Sequence, residues 1–239
     1  GMGGDGSGIE IPAVMIDRAP GVVLTTTLSS GITVTARIDP ALRRIDYDAA
    51  DAASGFTSRG PSKNGALKPD IAGPGSGIVS TARGSGTGGA NFSGTSMSGP
   101  HLAGAAAVMH HRNRAENLGL GADDLAALLM NYARPVVFEG GNRDNVSAVA
   151  RQGAGMVDLM RAGKGQLLVR AGDIASVNVG ALSLSSPTGR QHVLTVTNLA
   201  DEPATLAVAA RSLYPDDNGR GMTVQVPQAP VVVPAKGTV

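Results

Sequence analysis

At 239 residues the chain has room for one large domain or two small ones, with a buried core. Its net charge of +1 comes from scattered Lys and Arg, without the clustered basic face of a nucleic-acid binder, and no apolar run approaches the roughly 20 residues of a membrane span. Cysteine is absent, which excludes disulfides and thiolate metal sites, and with 3% aromatics and no Trp the core must come from Val, Leu, Ile, Met and Ala.

Beyond residue 8, three stretches differ in texture. Gly1–Gly8 carries neither the positive region nor the apolar core of a signal peptide, so the export signal of an exported parent is expected outside this chain. Residues 9–48 alternate β-branched runs with turn residues: Ile9–Ile16, Gly21–Leu28 and Gly31–Ile38. The period of two in Ile32–Ile38 predicts a half-buried strand. Residues 49–165 begin with a Gly/Pro/Ser-rich segment, Ser54 to Gly94, holding one strand candidate at Gly77–Thr81. A small-residue helix is predicted from Thr95 to Arg112, and a second over Ala122–Ala133. The second has Asp123 and Asp124 in its first turn, where they complement the helix dipole, and Pro135 stops it. From Gln166 onward short strands are predicted at His192–Thr197, Thr205–Ala209, Met222–Val226 and Val231–Val233, the pattern of an antiparallel sandwich.

The sharpest local sequence is Asn91–Ala106, in which a Gly/Ser approach leads into a helix whose first turn presents hydroxyls. A serine there has two advantages as a nucleophile. Its own backbone N–H, unpaired in the first turn, can donate to a developing oxyanion, and the helix dipole favours that charge. Rigid placement of Ser96 would require the helix to lie deep in the protein, and Gly99 and Ala103 to Ala107 are small enough to pack against neighbouring backbone. By pattern alone, a buried Ala-rich helix with a Ser/Thr-capped start is the commoner meaning.

Gly94-Thr95-Ser96-Met97-Ser98-Gly99-Pro100-His101-Leu102-Ala103-Gly104 resembles, nearly position for position, the nucleophile motif of the subtilase family. It departs from the G-x-S-x-G elbow of α/β-hydrolases, since Ser98 stands where the second Gly should be. Phe56–Pro61 and Leu67–Gly75 resemble the segments that precede the nucleophile in larger subtilases, with Gly73-Pro74-Gly75 where Ala-Pro-Gly is usual. Gln152–Asp158 is similar to the Gly-rich turn closing the catalytic domain.

The resemblance implies an α/β fold in three parts. Residues 49–165 would form the C-terminal portion of a subtilisin-like, parallel-sheet catalytic domain. Residues 1–48 would be the β-rich end of an inserted protease-associated domain. Residues 166–239 would start a fibronectin-type-III-like domain, an incomplete antiparallel β-sandwich. Missing sheet strands upstream would leave a bare helix face and make the isolated chain marginal or self-associating. The implied activity is that of a secreted or cell-surface serine endopeptidase acting on proteins or peptides, with Ser96 as nucleophile and its backbone N–H as an oxyanion donor. No nucleic-acid partner and no membrane span are expected.

The family order is Asp, then His, then Ser. All four histidines, His101, His110, His111 and His192, follow Ser96. His101 belongs to the motif, but its side chain should point about a turn away from Ser96, which gives it a packing role. Asp39, Asp46, Asp48, Asp51 and Asp70 precede Ser96 without the family's catalytic-Asp context, and neither Asn64 nor Asn91 matches the setting of its oxyanion Asn. The resemblance therefore implies a parent that is active and a chain that, alone, lacks base and orienting acid. The alternative is a non-catalytic, subtilase-like binding or surface scaffold. No cofactor is expected. Calcium has one candidate locus, Asp216-Asp217-Asn218-Gly219, which also reads as a plain turn. Adjacent His110 and His111 lack the i, i+4 spacing of a helical metal pair.

Overall fold

A computed structural model describes residues 18–35, 51–139, 142–179, 189–213 and 223–239. In chain order the elements are α1 (Arg18–Ser29), β1 (Ala52–Ala53), β2 (Ile78–Thr81), β3 (Gly89–Phe92), α2 (Thr95–Ala115), α3 (Ala122–Asn131), β4 (Phe138–Glu139), β5 (Asn142–Val146), α4 (Val149–Gln152), α5 (Leu159–Lys164), β6 (Leu167–Arg170), β7 (Thr195–Asn198), β8 (Ala204–Leu206) and β9 (Val231–Val233). They fall into two units, one from Gly1–Ile45 with Gly77–Phe92, the other from Asp46–Ser76 with Ser93–Val239.

The first unit contains α1 and the hairpin β2–β3. Gly21–Leu28, a β-branched run in the sequence, is helical. Its threonines explain the difference. Thr25, Thr26 and Thr27, with Ser30, donate their hydroxyls at 2.8–3.0 Å to carbonyls three or four residues back, a bond a β-branched residue can make without leaving the helix. Gly31, at φ +75°, then ends the helix, with its N–H on Leu28 O and the Ile32 N–H on Thr27 O. Residues 32–35 are irregular rather than a strand, and Ile9–Ile16 and residues 36–38 lie outside the described residues. The strand expected at Gly77–Thr81 is β2, paired antiparallel with β3 from Ile78↔Phe92 to Thr81↔Gly89.

In the second unit the core is built where α2, α3, α5 and β6 meet. Ala105, Met109 and Arg112 form the buried stripe of α2 at i, i+4 and i+7, and Leu125, Leu128 and Leu129 form that of α3. Ala162 of α5, Leu168 of β6 and Leu199 close the cluster. Arg112 is buried because it has work at its tip: Nη1 donates to Ala162 O at 3.1 Å and Gly165 O at 2.8 Å, satisfying carbonyls at the end of α5. The Asp124 carboxylate accepts from the Gly121 N–H at 3.0 Å and caps α3.

β6 is pinned on both sides. β7 pairs with it antiparallel, Leu167↔Asn198 to Arg170↔Thr195. On the α3 side the Asn131 side chain acts as a one-residue strand, accepting from Val169 N at 2.8 Å and donating to Val169 O at 3.0 Å, while the Leu167 N–H reaches the Tyr132 hydroxyl. The outer edge of β7 is taken by the chain end, with Val196 and Val239 exchanging N–H···O bonds at 2.8 and 3.0 Å. β8 and β9 form a further antiparallel pair. Residues 223–226, part of an expected strand, are irregular, and Met222 is not described.

The fold is α/β, with helices packed beside small sheets. Among the described residues, parallel pairing is confined to β1–β4 and the bridge Ala72↔Met156; β4–β5 is antiparallel. The Gly-rich turn 152–158 is stitched to two segments at once, Ile71–Ala72 and Arg134. At Gly153 and Gly155 a β carbon would run into the Asp70 and Arg134 carbonyls, and both have positive φ, so glycine is required at each. Nearby, the Glu139 carboxylate accepts from Ser147 Oγ at 2.7 Å and pairs with Arg151, whose Nη2 donates to Ser54 O at 2.9 Å. The Ser147 hydrogen bond, aided by the Arg151 charge and opposed by burial, lowers the Glu139 pKa below the usual carboxylate value.

Two outcomes follow for stability. Leu128 is fully buried, so Leu128→Ala is expected to cost about 2–5 kcal/mol in urea unfolding, whereas Val108→Ala, at a side chain 51% exposed, should shift it by no more than about 0.5 kcal/mol. A carboxylate whose pKa is lower folded than unfolded adds stability above its unfolded pKa and loses it as pH falls through the folded value. Glu139→Gln is therefore expected to remove part of the pH dependence of stability on the acid side of the carboxylate range, and to leave the slope near neutrality unchanged.

Candidate active site

The start of α2 is poorly bonded within the helix itself. Its N-cap is Gly94, which has no side chain to cap with. The Gly94 carbonyl takes the Met97 N–H at 3.0 Å and the Ser98 N–H at 3.3 Å. Among the described residues neither the Thr95 nor the Ser96 N–H finds an acceptor. Pro100, inside the helix, has no amide to give to the carbonyl four residues back, which is that of Ser96.

What holds this turn comes from outside it. The Gly94 N–H donates to Gly75 O at 2.8 Å, and the Ser98 hydroxyl donates to Gly73 O at 2.8 Å. The loop Gly73-Pro74-Gly75 thus lies against the first turn. A β carbon at Gly73 would come within 3.0 Å of Ser98 Oγ and 3.2 Å of Leu102, and one at Gly75 within 2.9 Å of Gly94 O. These contacts leave Ser96 exposed as the second residue of α2 with its N–H directed out of the helix end.

The sequence places α2 deep in the protein, and the structure differs. Ala105 is buried, but Gly99, Ala103, Gly104, Ala106 and Ala107 are exposed, and a β carbon at Gly99 or Gly104 would meet nothing within 4 Å. The small residues therefore line an exposed face of α2.

No histidine or aspartate of the described residues is brought to Ser96. His101 is half-buried, and its Nδ1 lies 3.0 Å from Met97 O, one turn back on its own helix. His110 and His111 are exposed towards the other end of α2. Asp51 sits 4.0 Å from Arg134, and the Asp70 carbonyl accepts from the Ala154 N–H, so both serve the frame around the Gly-rich turn. Asp39, Asp46, Asp48 and the calcium candidate Asp216–Gly219 lie outside the described residues. Among the described residues there is no group of three or more metal-ligating side chains, and no helix long and apolar enough to cross a membrane. Sequence reasoning missed Ser98 as a bonding partner of the Gly73 loop. Its partner is a backbone carbonyl, which carries no sequence signal.

An exposed serine thus sits at the start of a Gly/Ala-rich helix, on an α/β frame that includes a Gly-rich turn. Comparison with known proteins supplies the family. The family model of the subtilases matches residues 6–158, more than half of the chain. The PII-type proteinase of Lactococcus lactis subsp. cremoris is 38% identical over 123 residues, which is 47% of this chain and 6% of that proteinase. A protein of the same name from Lacticaseibacillus paracasei matches equally. The C5a peptidase of Streptococcus pyogenes is 28% identical over 200 residues, 82% of this chain and 16% of that peptidase. The chain belongs to the subtilase family. It spans less than one fifth of the length of these relatives.

Proposed function

We propose that the full-length protein is a serine endopeptidase in which Ser96 is the nucleophile. The observation that carries this reading is the exposed Ser96 hydroxyl at the second position of α2, beside its own unbonded N–H, within a segment that resembles the subtilase nucleophile motif. Ser96 Oγ would attack the scissile carbonyl while a base takes its proton, and the carbonyl oxygen would gather negative charge against the Ser96 N–H and the positive end of α2. Collapse of the tetrahedral adduct returns the proton to the leaving amine and leaves an acyl-enzyme, which water then hydrolyses through the same base.

The base and its orienting acid belong to sequence upstream of this chain, and the bare face of α2 supports that reading. The domain reading is 1–48, 49–165 and 166–239. The family match, residues 6–158, runs across the first boundary and ends near the second, which it supports, and the antiparallel pairs β6–β7 and β8–β9 support a β-rich third part. The names of the relatives, proteinase and peptidase, support protein or peptide substrates, while a secreted or cell-surface location rests on the resemblance to the subtilases alone. Calcium, if bound, would engage the oxygen donors of Asp216–Gly219.

In the full-length protein, Ser96→Ala is expected to lower kcat for a protein substrate by on the order of a million-fold, the scale of losing a nucleophile from a triad that works as a unit. The 239-residue chain alone is expected to show no turnover of the same substrate. Turnover by Ser96→Ala within about tenfold of the wild type would remove Ser96 from the chemistry.

A further inference from the structure

We infer that Ser98 is a positioning residue for Ser96, acting through the Gly73–Gly75 loop; the inference rests on Ser96 being the nucleophile. Ser98 makes no use of its hydroxyl within α2. It reaches 25 residues back along the chain to donate to Gly73 O at 2.8 Å. Two residues from the hydroxyl that would react, this bond and the Gly94 N–H to Gly75 O bond tie both ends of the first turn to one short loop. The tie matters because the turn is short of bonds of its own: Gly94 offers no side-chain cap, and Pro100 withholds the amide that would bond the Ser96 carbonyl. With those restraints absent, the direction of Ser96 Oγ and N–H depends on the outside contacts. A nucleophile and its oxyanion donor on the same residue both move when that turn moves.

The loop is shaped for this hydroxyl. A β carbon at residue 73 would lie 3.0 Å from Ser98 Oγ, closer than carbon and oxygen ordinarily pack, so the hydroxyl would have to shift from its present place on the carbonyl. Gly73 and Ser98 thus work as a matched pair: the missing side chain at 73 is the room in which the Ser98 bond forms. Leu102, 3.2 Å from the same position, fixes the other wall of that space.

The test is kinetic, on the full-length protein, with kcat expressed per site titrated by a fluorophosphonate so that misfolded molecules do not count. Ser98→Ala is expected to lower kcat about tenfold, with KM within about twofold, since a displaced nucleophile loses alignment rather than substrate binding. Gly73→Ala is expected to do the same. The double variant Gly73→Ala/Ser98→Ala should be no slower than the slower single variant, because both changes break one contact, whereas independent effects would multiply to about a hundredfold. If Ser98→Ala lowers only the titrated fraction or the melting temperature and keeps kcat per site within twofold, Ser98 is merely structural and the inference is overturned. Multiplying effects in the double variant overturn the pairing. Were Ser96→Ala to retain hydrolysis, the nucleophile reading would fall and the inference with it, an outcome distinct from the other two.

Discussion

The first turn of α2 is held from outside the helix, and the candidate chemistry depends on that fact. An ordinary helix start is fixed by a capping side chain and by the bonds of the following turn. Here the capping position is a glycine and the sixth residue is a proline, so both ordinary restraints are weakened around Ser96. Two hydrogen bonds to the Gly73–Gly75 loop replace them. That exchange has a chemical benefit. A side-chain cap would occupy N–H groups at the helix end, whereas backbone and side-chain ties from Gly94 and Ser98 leave the Ser96 N–H open to an incoming oxyanion.

The loop itself is placed by the layer beneath it. Ile71 and Ala72 pair with the Gly-rich turn 152–158, which is also paired with Arg134 just after α3. The far half of α2 is anchored through Met109 and Arg112 to α3 and α5. Ser96 is thus located by two independent routes that meet at α2. One runs through the core along the helix, and the other runs through the Gly73–Gly75 loop to its start. The face of α2 between them is exposed, and among the described residues no His or Asp side chain is bonded to Ser96, the proposed nucleophile.

Much of this was legible in the sequence, for physical reasons that differ by element. The start of α2 at Thr95 was readable because a glycine precedes a run of small helix formers, and α3 because two acids precede an apolar stripe. β2 and β9 stood out as β-branched runs between turn residues. The run Gly21–Leu28 misled, because threonines favour strands on average but can satisfy their hydroxyls on helix carbonyls, as Thr25 to Thr27 do. The burial of α2 also misled: small residues signal close packing only when the partner is present, and Gly99 and Gly104 face open space. Ser96 is singled out by its motif, and its role remains the proposal made above. Ser98 was not legible, because its partner is a backbone carbonyl 25 residues away, and a carbonyl leaves no mark in the sequence.

The central claim is that Ser96 is a nucleophile correctly seated but not activated within this chain. It is tested most directly by exposing the 239-residue chain and the full-length protein side by side to a fluorophosphonate, then mapping the modified peptide by mass spectrometry. The account predicts rapid labelling of the full-length protein at Ser96 alone and none of the isolated chain on the same timescale. Rapid labelling of the isolated chain, or a label on any other serine of the full-length protein, would contradict it.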